Sequence, residues 1–203
     1  MNGKDLDTVE KFSYLGAIVT NEGGIGDVNN RLPKARATFT KLKGIWKSNI
    51  INRRTKIKLY NVLVKSALLY GCESWKRTKG EEKEIDIFQN KCLRWMLNIK
   101  WQERVTTEDL LKRADTQPIS KEIRCRKWKW LGHILRKDQG DDCNIALTWA
   151  PEGKRRRGRP NTTWRRMVEK ERNMGGWTSW GVARAAAANR DRWRHSVEAL
   201  CVT

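Results

Sequence analysis

Pro118-Ile-Ser-Lys-Glu-Ile-Arg-Cys-Arg-Lys-Trp-Lys-Trp-Leu-Gly-His-Ile-Leu-Arg-Lys137 carries its apolar side chains at helical spacing. Trp130 points with Ile123 and Ile134, whereas Trp128 faces with Leu131 and Leu135. Pro118 suits the first turn of such a helix, because its missing N–H would have no partner there. Arg124, Arg126, Lys127 and Lys129 interleave with the two indoles. Both tryptophans can be core residues, and stacking of one on a base or sugar is the other reading.

The helical character extends in both directions. Upstream, Leu32, Ala35, Phe39, Leu42 and Trp46 form one stripe of a helix over residues 28–48, with Lys34, Arg36, Lys41 and Lys43 largely off it. Asn52 or Thr55 opens a segment that is apolar nearly all round, from Ile57 to Leu69, expected to be the most buried helix. A third helix over 81–97 has Ile85, Phe88, Cys92 and Met96 on one face, and Thr106 with Asp109 starts a short one. Downstream, 138–143 reads as a polar loop. Asn161 or Thr162 caps a helix to about Met174, and Thr178 or Ser179 opens a final pair of segments to Leu200. Only residues 9–20, rich in aromatic and β-branched types before Gly23-Gly24, read as a short strand or hairpin.

Charge narrows the function. The 203 residues have a formal net charge of +20 and a pI near 10.1. Residues 1–30 hold Lys4 and Lys11 against Asp5, Asp7, Glu10, Glu22 and Asp27, a net of −3, so the remainder carries +23. Such an excess repels itself in a compact chain, and a polyanionic partner offsets it. No apolar run approaches the roughly 18–20 residues that span a bilayer, and the first residues lack a signal peptide. Five cysteines at irregular spacing, without a C-x-x-C pair, read as free and mostly buried thiols of a reducing, intracellular compartment.

The sharpest motif is basic. Lys154, Arg155, Arg156, Arg157, Arg159, Arg165 and Arg166 stand together without an acid. Each phosphate they neutralise releases counterions, so binding falls steeply with salt. Arg157-Gly158-Arg159-Pro160 looks like the core of an AT-hook, whose extended backbone lays arginines along a narrow minor groove. General phosphate binding, a nuclear-import signal and a solvated linker are its other readings. Asp141-Asp142 have no strand-borne carboxylate partner and read as a solvated loop rather than a metal pair. No catalytic set is recognisable.

Phe12-Ser-Tyr-Leu-Gly16, Asn30-Arg31-Leu-Pro-Lys-Ala-Arg36, Leu68-Leu-Tyr-Gly-Cys-Glu-Ser-Trp75, Gln89-Asn-Lys-Cys-Leu-Arg94, Trp128-Lys-Trp-Leu-Gly-His133 and Asp191-Arg-Trp-Arg194 occur in that order. The series resembles the C-terminal part of LINE-type, non-LTR retrotransposon reverse transcriptases. The resemblance implies a primer grip at Phe12, Tyr14, Leu15 and Gly16, a helical thumb and a basic tail. It implies RNA template, DNA primer or target DNA as partners. The endonuclease and the palm with its paired aspartates, which would use Mg2+, are expected upstream of Met1, so this chain is expected to be a fragment with no catalytic residue, cofactor or metal of its own.

The expected fold is mainly α: a β-hairpin over 1–27, a thumb-like bundle over 28–137, a loop and basic linker over 138–160, and a small basic helical region over 161–203. Nucleic acid is assigned to Lys34, Arg36, Lys41, Lys43, Arg126, Lys127, Lys129 and the cluster from Lys154 to Arg166. The expected location is nuclear, without membrane contact. A stand-alone AT-hook-like DNA binder and a protein-interaction module are the competing classes.

Overall fold

A computed structural model describes residues 9–14, 17–20, 27–149 and 163–202. The chain divides into two compact units, Met1–Leu68 and Leu69–Thr203.

In the first unit, β1 (Lys11–Tyr14) pairs antiparallel with β2 (Ala17–Thr20), Phe12 opposite Val19. Helix α1 (Asp27–Lys41) buries Val28, Leu32 and Ala35. The helix expected to run on to residue 48 breaks at Leu42, and α2 (Lys43–Lys47) follows. The Trp46 indole donates back to the Phe39 carbonyl at 2.8 Å and stacks on the Phe39 ring at 5.2 Å. That bond gives the Phe39 carbonyl, which also accepts from Leu42 N–H at 3.2 Å, a second donor where α1 ends. Asn52 caps α3 (Arg53–Leu59) through Thr55 N–H, as expected. The chain continues through a π-helical turn, Tyr60–Lys65, into α4 (Ser66–Leu69). This segment is less uniformly buried than its sequence suggests: Val62 and Leu63 are exposed, whereas Tyr60 and Val64 are sealed.

The second unit is built on α7 (Ile119–Leu135). A 3-10 turn at Cys72–Ser74 precedes α5 (Lys79–Met96), which opens on a full capping box between Thr78 and Glu81. Helix α6 (Thr107–Arg113) is capped by Thr106. Because Pro118 has no capping side chain, α5 supplies the acceptors instead. Gln89 Oε1 takes the Ile119 N–H at 3.0 Å and Asp86 Oδ1 takes that of Ser120 at 2.9 Å. At the other end, buried Asn144 donates to the carbonyls of Ile134, Lys137 and Asp138. Side chains from other helices thus meet backbone groups at both ends of α7, as buried backbone groups require.

Asn144 belongs to α8 (Asp142–Thr148), which corrects the reading of 138–143 as a plain loop: Asp141 is an N-cap, accepting from Cys143 N–H at 3.0 Å. Helices α9 (Trp164–Met174), α10 (Trp180–Ala188) and α11 (Arg190–Val202) complete the unit. Thr163 caps α9 and Ser179 caps α10, while Asn161 and Thr162 lie outside the described residues.

The expected fold class is corrected. Among the described residues the chain is helical almost throughout, and no β-hairpin domain over 1–27 stands apart from the helices. The described β structure is a ladder of two four-residue strands within the unit that holds α1–α3. Eight paired residues are too few for a core of their own. Nor are α9–α11 a small region appended to a finished thumb. Trp128, Leu131 and Leu135 of α7 share one core with Val168, Trp177, Ala183, Trp193, Val197 and Leu200. Cys125 of α7 and Cys201 of α11 are disulfide-bonded, with Cα atoms 5.9 Å apart, which corrects the expectation for that pair; Cys72, Cys92 and Cys143 are in no disulfide.

Candidate nucleic-acid interface

Helix α7 sorts its cations by face. Trp128 is fully buried, its ring 5.0 Å from that of Trp177, which in turn stacks on Trp193 at 4.5 Å. Trp130, two residues on and so roughly opposite around the helix, is 41% exposed and meets Trp164 edge-on. Of the two interleaved indoles, one is core and one is open to solvent.

The same division removes one predicted contact. Lys127 is completely buried, with its Nζ 2.9 Å from Glu171 Oε1. Glu171 Oε2 also accepts the Trp128 indole N–H at 2.7 Å. Burial pushes the Lys127 ammonium down to about 8, against the attraction of Glu171. A lysine spent on an internal carboxylate cannot reach a phosphate, so its assignment to nucleic acid is corrected. Arg165 is partly committed too, donating to the carbonyls of Trp149 and Leu147. Arg126 is exposed but forks onto Glu122, with Nη2 at 2.8 Å.

Lys129 lies on the exposed side and has company that the sequence did not single out. Lys129 and His133 of α7, with Arg136 at its C-cap, face Arg190, Trp193 and Arg194 of α11 around a groove of about 450 Å³. Steps of four and three along α7, and of four along α11, put these side chains on one face of each helix. No carboxylate is among the lining residues. Burial first, and then the charge of Arg190, hold Arg136 below the ordinary arginine range. Arg136 is fixed there by a bond to the Ala187 carbonyl at 3.2 Å. The signal available in sequence is the Asp191-Arg-Trp-Arg194 motif; its meeting with α7 is not readable there.

The remaining predicted residues divide simply. Lys34, Arg36, Lys41 and Lys43 are exposed on α1 and α2 of the first unit, and Arg166 is exposed on α9. Phe12 is exposed on β1, and Tyr14 ends that strand. Leu15, Gly16, Lys154, Arg155, Arg156, Arg157 and Arg159 lie outside the described residues. Among the described residues, no three of His, Cys, Asp and Glu are grouped to hold a metal ion. Among them also, no helix is long and apolar enough to cross a membrane.

Comparison with known proteins gives a coarse class first. Residues 38–70 match a family model described as a domain of unknown function, DUF6451. Over a longer span, the chain is similar to a transposon-derived protein of Caenorhabditis elegans, F52C9.6, itself uncharacterized. The two are 26% identical over 172 residues, which cover 82% of this chain and 61% of the relative. The chain thus spans about three-fifths of that relative's length, and the likeness is that of a distant, partial homologue of transposable-element origin. No solved structure matches.

Proposed function

We propose that this chain is a nucleic-acid-holding portion of a LINE-type retrotransposon reverse transcriptase, gripping template and primer or target DNA without a polymerising centre of its own. The observation that carries the reading is the α7–α11 groove, where five basic residues meet with no carboxylate among them. Such a surface is costly unless a polyanion neutralises it. The transposon-derived relative supports a transposable-element origin in general, and the ordered motif series supports the finer parentage. In that reading the Lys154–Arg159 cluster adds phosphate contacts, and the protein works in the nucleus.

The test is binding of the purified chain to RNA–DNA hybrid, random duplex and A·T-rich duplex at low salt. The expected result is retention of the hybrid at least as strong as of either duplex. Preference for A·T-rich DNA identifies an AT-hook protein instead, and no retention of any nucleic acid leaves an interaction module. With template, primer, nucleotides and magnesium the pure chain gives no extension; robust synthesis refutes the non-catalytic assignment.

A further inference from the structure

A second basic cleft, of about 650 Å³, lies in the second unit, and Arg166 alone of the predicted residues lines it. Its walls include Arg77, Arg124, Arg166 and Lys170, with Lys79 at the first turn of α5. Glu82 and Glu171 are the acids present. Glu171 is committed mainly to Lys127 and the Trp128 indole and lies 3.8 Å from Arg124 Nε, while Glu82 pairs with Arg77.

Arg77 is the unusual member. Its side chain is wholly buried, and Nη1 reaches Glu82 at 3.1 Å and the Ser120 carbonyl at 3.4 Å. Its Nε and Nη2 are also buried and have no hydrogen-bond partner among the described residues. A buried guanidinium ordinarily has its donors met, and these two lie side by side in the fork that grips a tetrahedral oxyanion bidentately. The adjoining start of α5 adds a field that favours negative charge.

We propose that this cleft binds a phosphate monoester, the group carried by the end of a nucleic-acid strand, with Arg77 as its inner ligand. The assignment rests on the nucleic-acid reading above for its source, but not for its chemistry. A cleft of this size admits a terminal nucleotide and excludes a duplex. The excess of cations over acids matches the double charge of a monoester better than the single charge of an internal diester. Arg166 and Lys170, on the exposed side of α9, form the rim.

The test uses the full chain labelled with nitrogen-15 and two kinds of probe. Inorganic phosphate should shift the arginine Nε–H resonance that Arg77→Lys removes. A 5′- or 3′-phosphorylated ten-nucleotide strand should bind several-fold tighter than its unphosphorylated twin. The surface variant Arg166→Ser with Lys170→Ser, which leaves the core untouched, should narrow that gap while circular dichroism stays unchanged. Equal affinity for all three strands, with no movement of the Arg77 resonance, overturns the proposal, as does a gap that persists undiminished in both variants. If no strand binds but phosphate still moves Arg77, the cleft stands and the nucleic-acid reading falls.

Discussion

The indole of Trp193 lies directly against the Cα of Gly132. A Cβ built on Gly132 would sit 2.7 Å from both Cδ1 and Cε2 of that ring, closer than side chains pack. The indole N–H donates to the Trp128 carbonyl one turn earlier in α7, at 3.1 Å. Glycine costs about 1 kcal/mol in a helix interior relative to alanine, and here it admits the ring that joins α11 to α7. The two motifs Trp128-Lys-Trp-Leu-Gly-His133 and Asp191-Arg-Trp-Arg194 are therefore halves of one packing arrangement.

Gly132→Ala should accordingly destabilise the chain by about 1–3 kcal/mol, the usual range for overpacking, despite the better helix propensity. Trp193 is held by Trp177 and cannot swing away freely. Urea unfolding followed by tryptophan fluorescence measures it; an alanine variant as stable as the parent contradicts the close approach.

Glu171→Ala removes the acceptor of both Lys127 and the Trp128 indole. It strands a buried ammonium, for which a loss of about 3–5 kcal/mol is expected. Pairing Lys127→Met with Glu171→Leu should recover much of that loss. A single variant costing less than about 1 kcal/mol would show that the pair is not desolvated.

The same lysine sets a pH trend. Its folded value, pushed by burial to about 8, lies below the ordinary 10.5. Below about 8 both folded and unfolded forms are charged, and the burial penalty is present in full. Between those two values the unfolded chain binds more protons, so this group's contribution to stability rises with pH. Comparing parent and Lys127→Met by denaturant unfolding at about pH 7.5 and about pH 9.5 should move the difference in the parent's favour at the higher pH. A difference that is flat, or that moves the other way, contradicts the assignment.

Alanine at Lys129, Arg190 and Arg194 should flatten the salt dependence of duplex binding by about 0.9 in log–log slope for each phosphate no longer neutralised. Arg136 is left in place because its bond to Ala187 holds α10. Alanine at Arg155, Arg156, Arg157 and Arg159 should flatten it further and independently. If the groove triple changes neither affinity nor slope, α7 and α11 do not face the strand.

Much of the local structure is legible in the sequence. Helix caps at Asn52, Thr106 and Ser179 stand where short polar side chains precede apolar periodicity, because capping is decided within four residues. The capping box at Thr78 and the helix capped by Asp141 obey the same rule but are harder to see. At Asp141-Asp142 the paired charge suggests a solvated loop, and it masks a helix start.

The site is legible only in part. Lys127 and Lys129 look alike in sequence, yet one is sealed against Glu171 and the other lines a groove. Two positions on a helix differ by about 200° around its axis, but which direction faces the core depends on where α9 and α11 pack.

By itself the sequence determined a helical chain, its strong positive charge and most of its helix starts, since composition and short-range hydrogen bonding need no distant partner. The tertiary structure alone decided that α9–α11 share the core of α7, that Asp86, Gln89 and Asn144 close its two ends, and that Arg77 is buried beside a cleft. Those outcomes join residues tens of positions apart, and nothing in local propensity encodes which distant group will satisfy a buried donor or fill the space above a glycine.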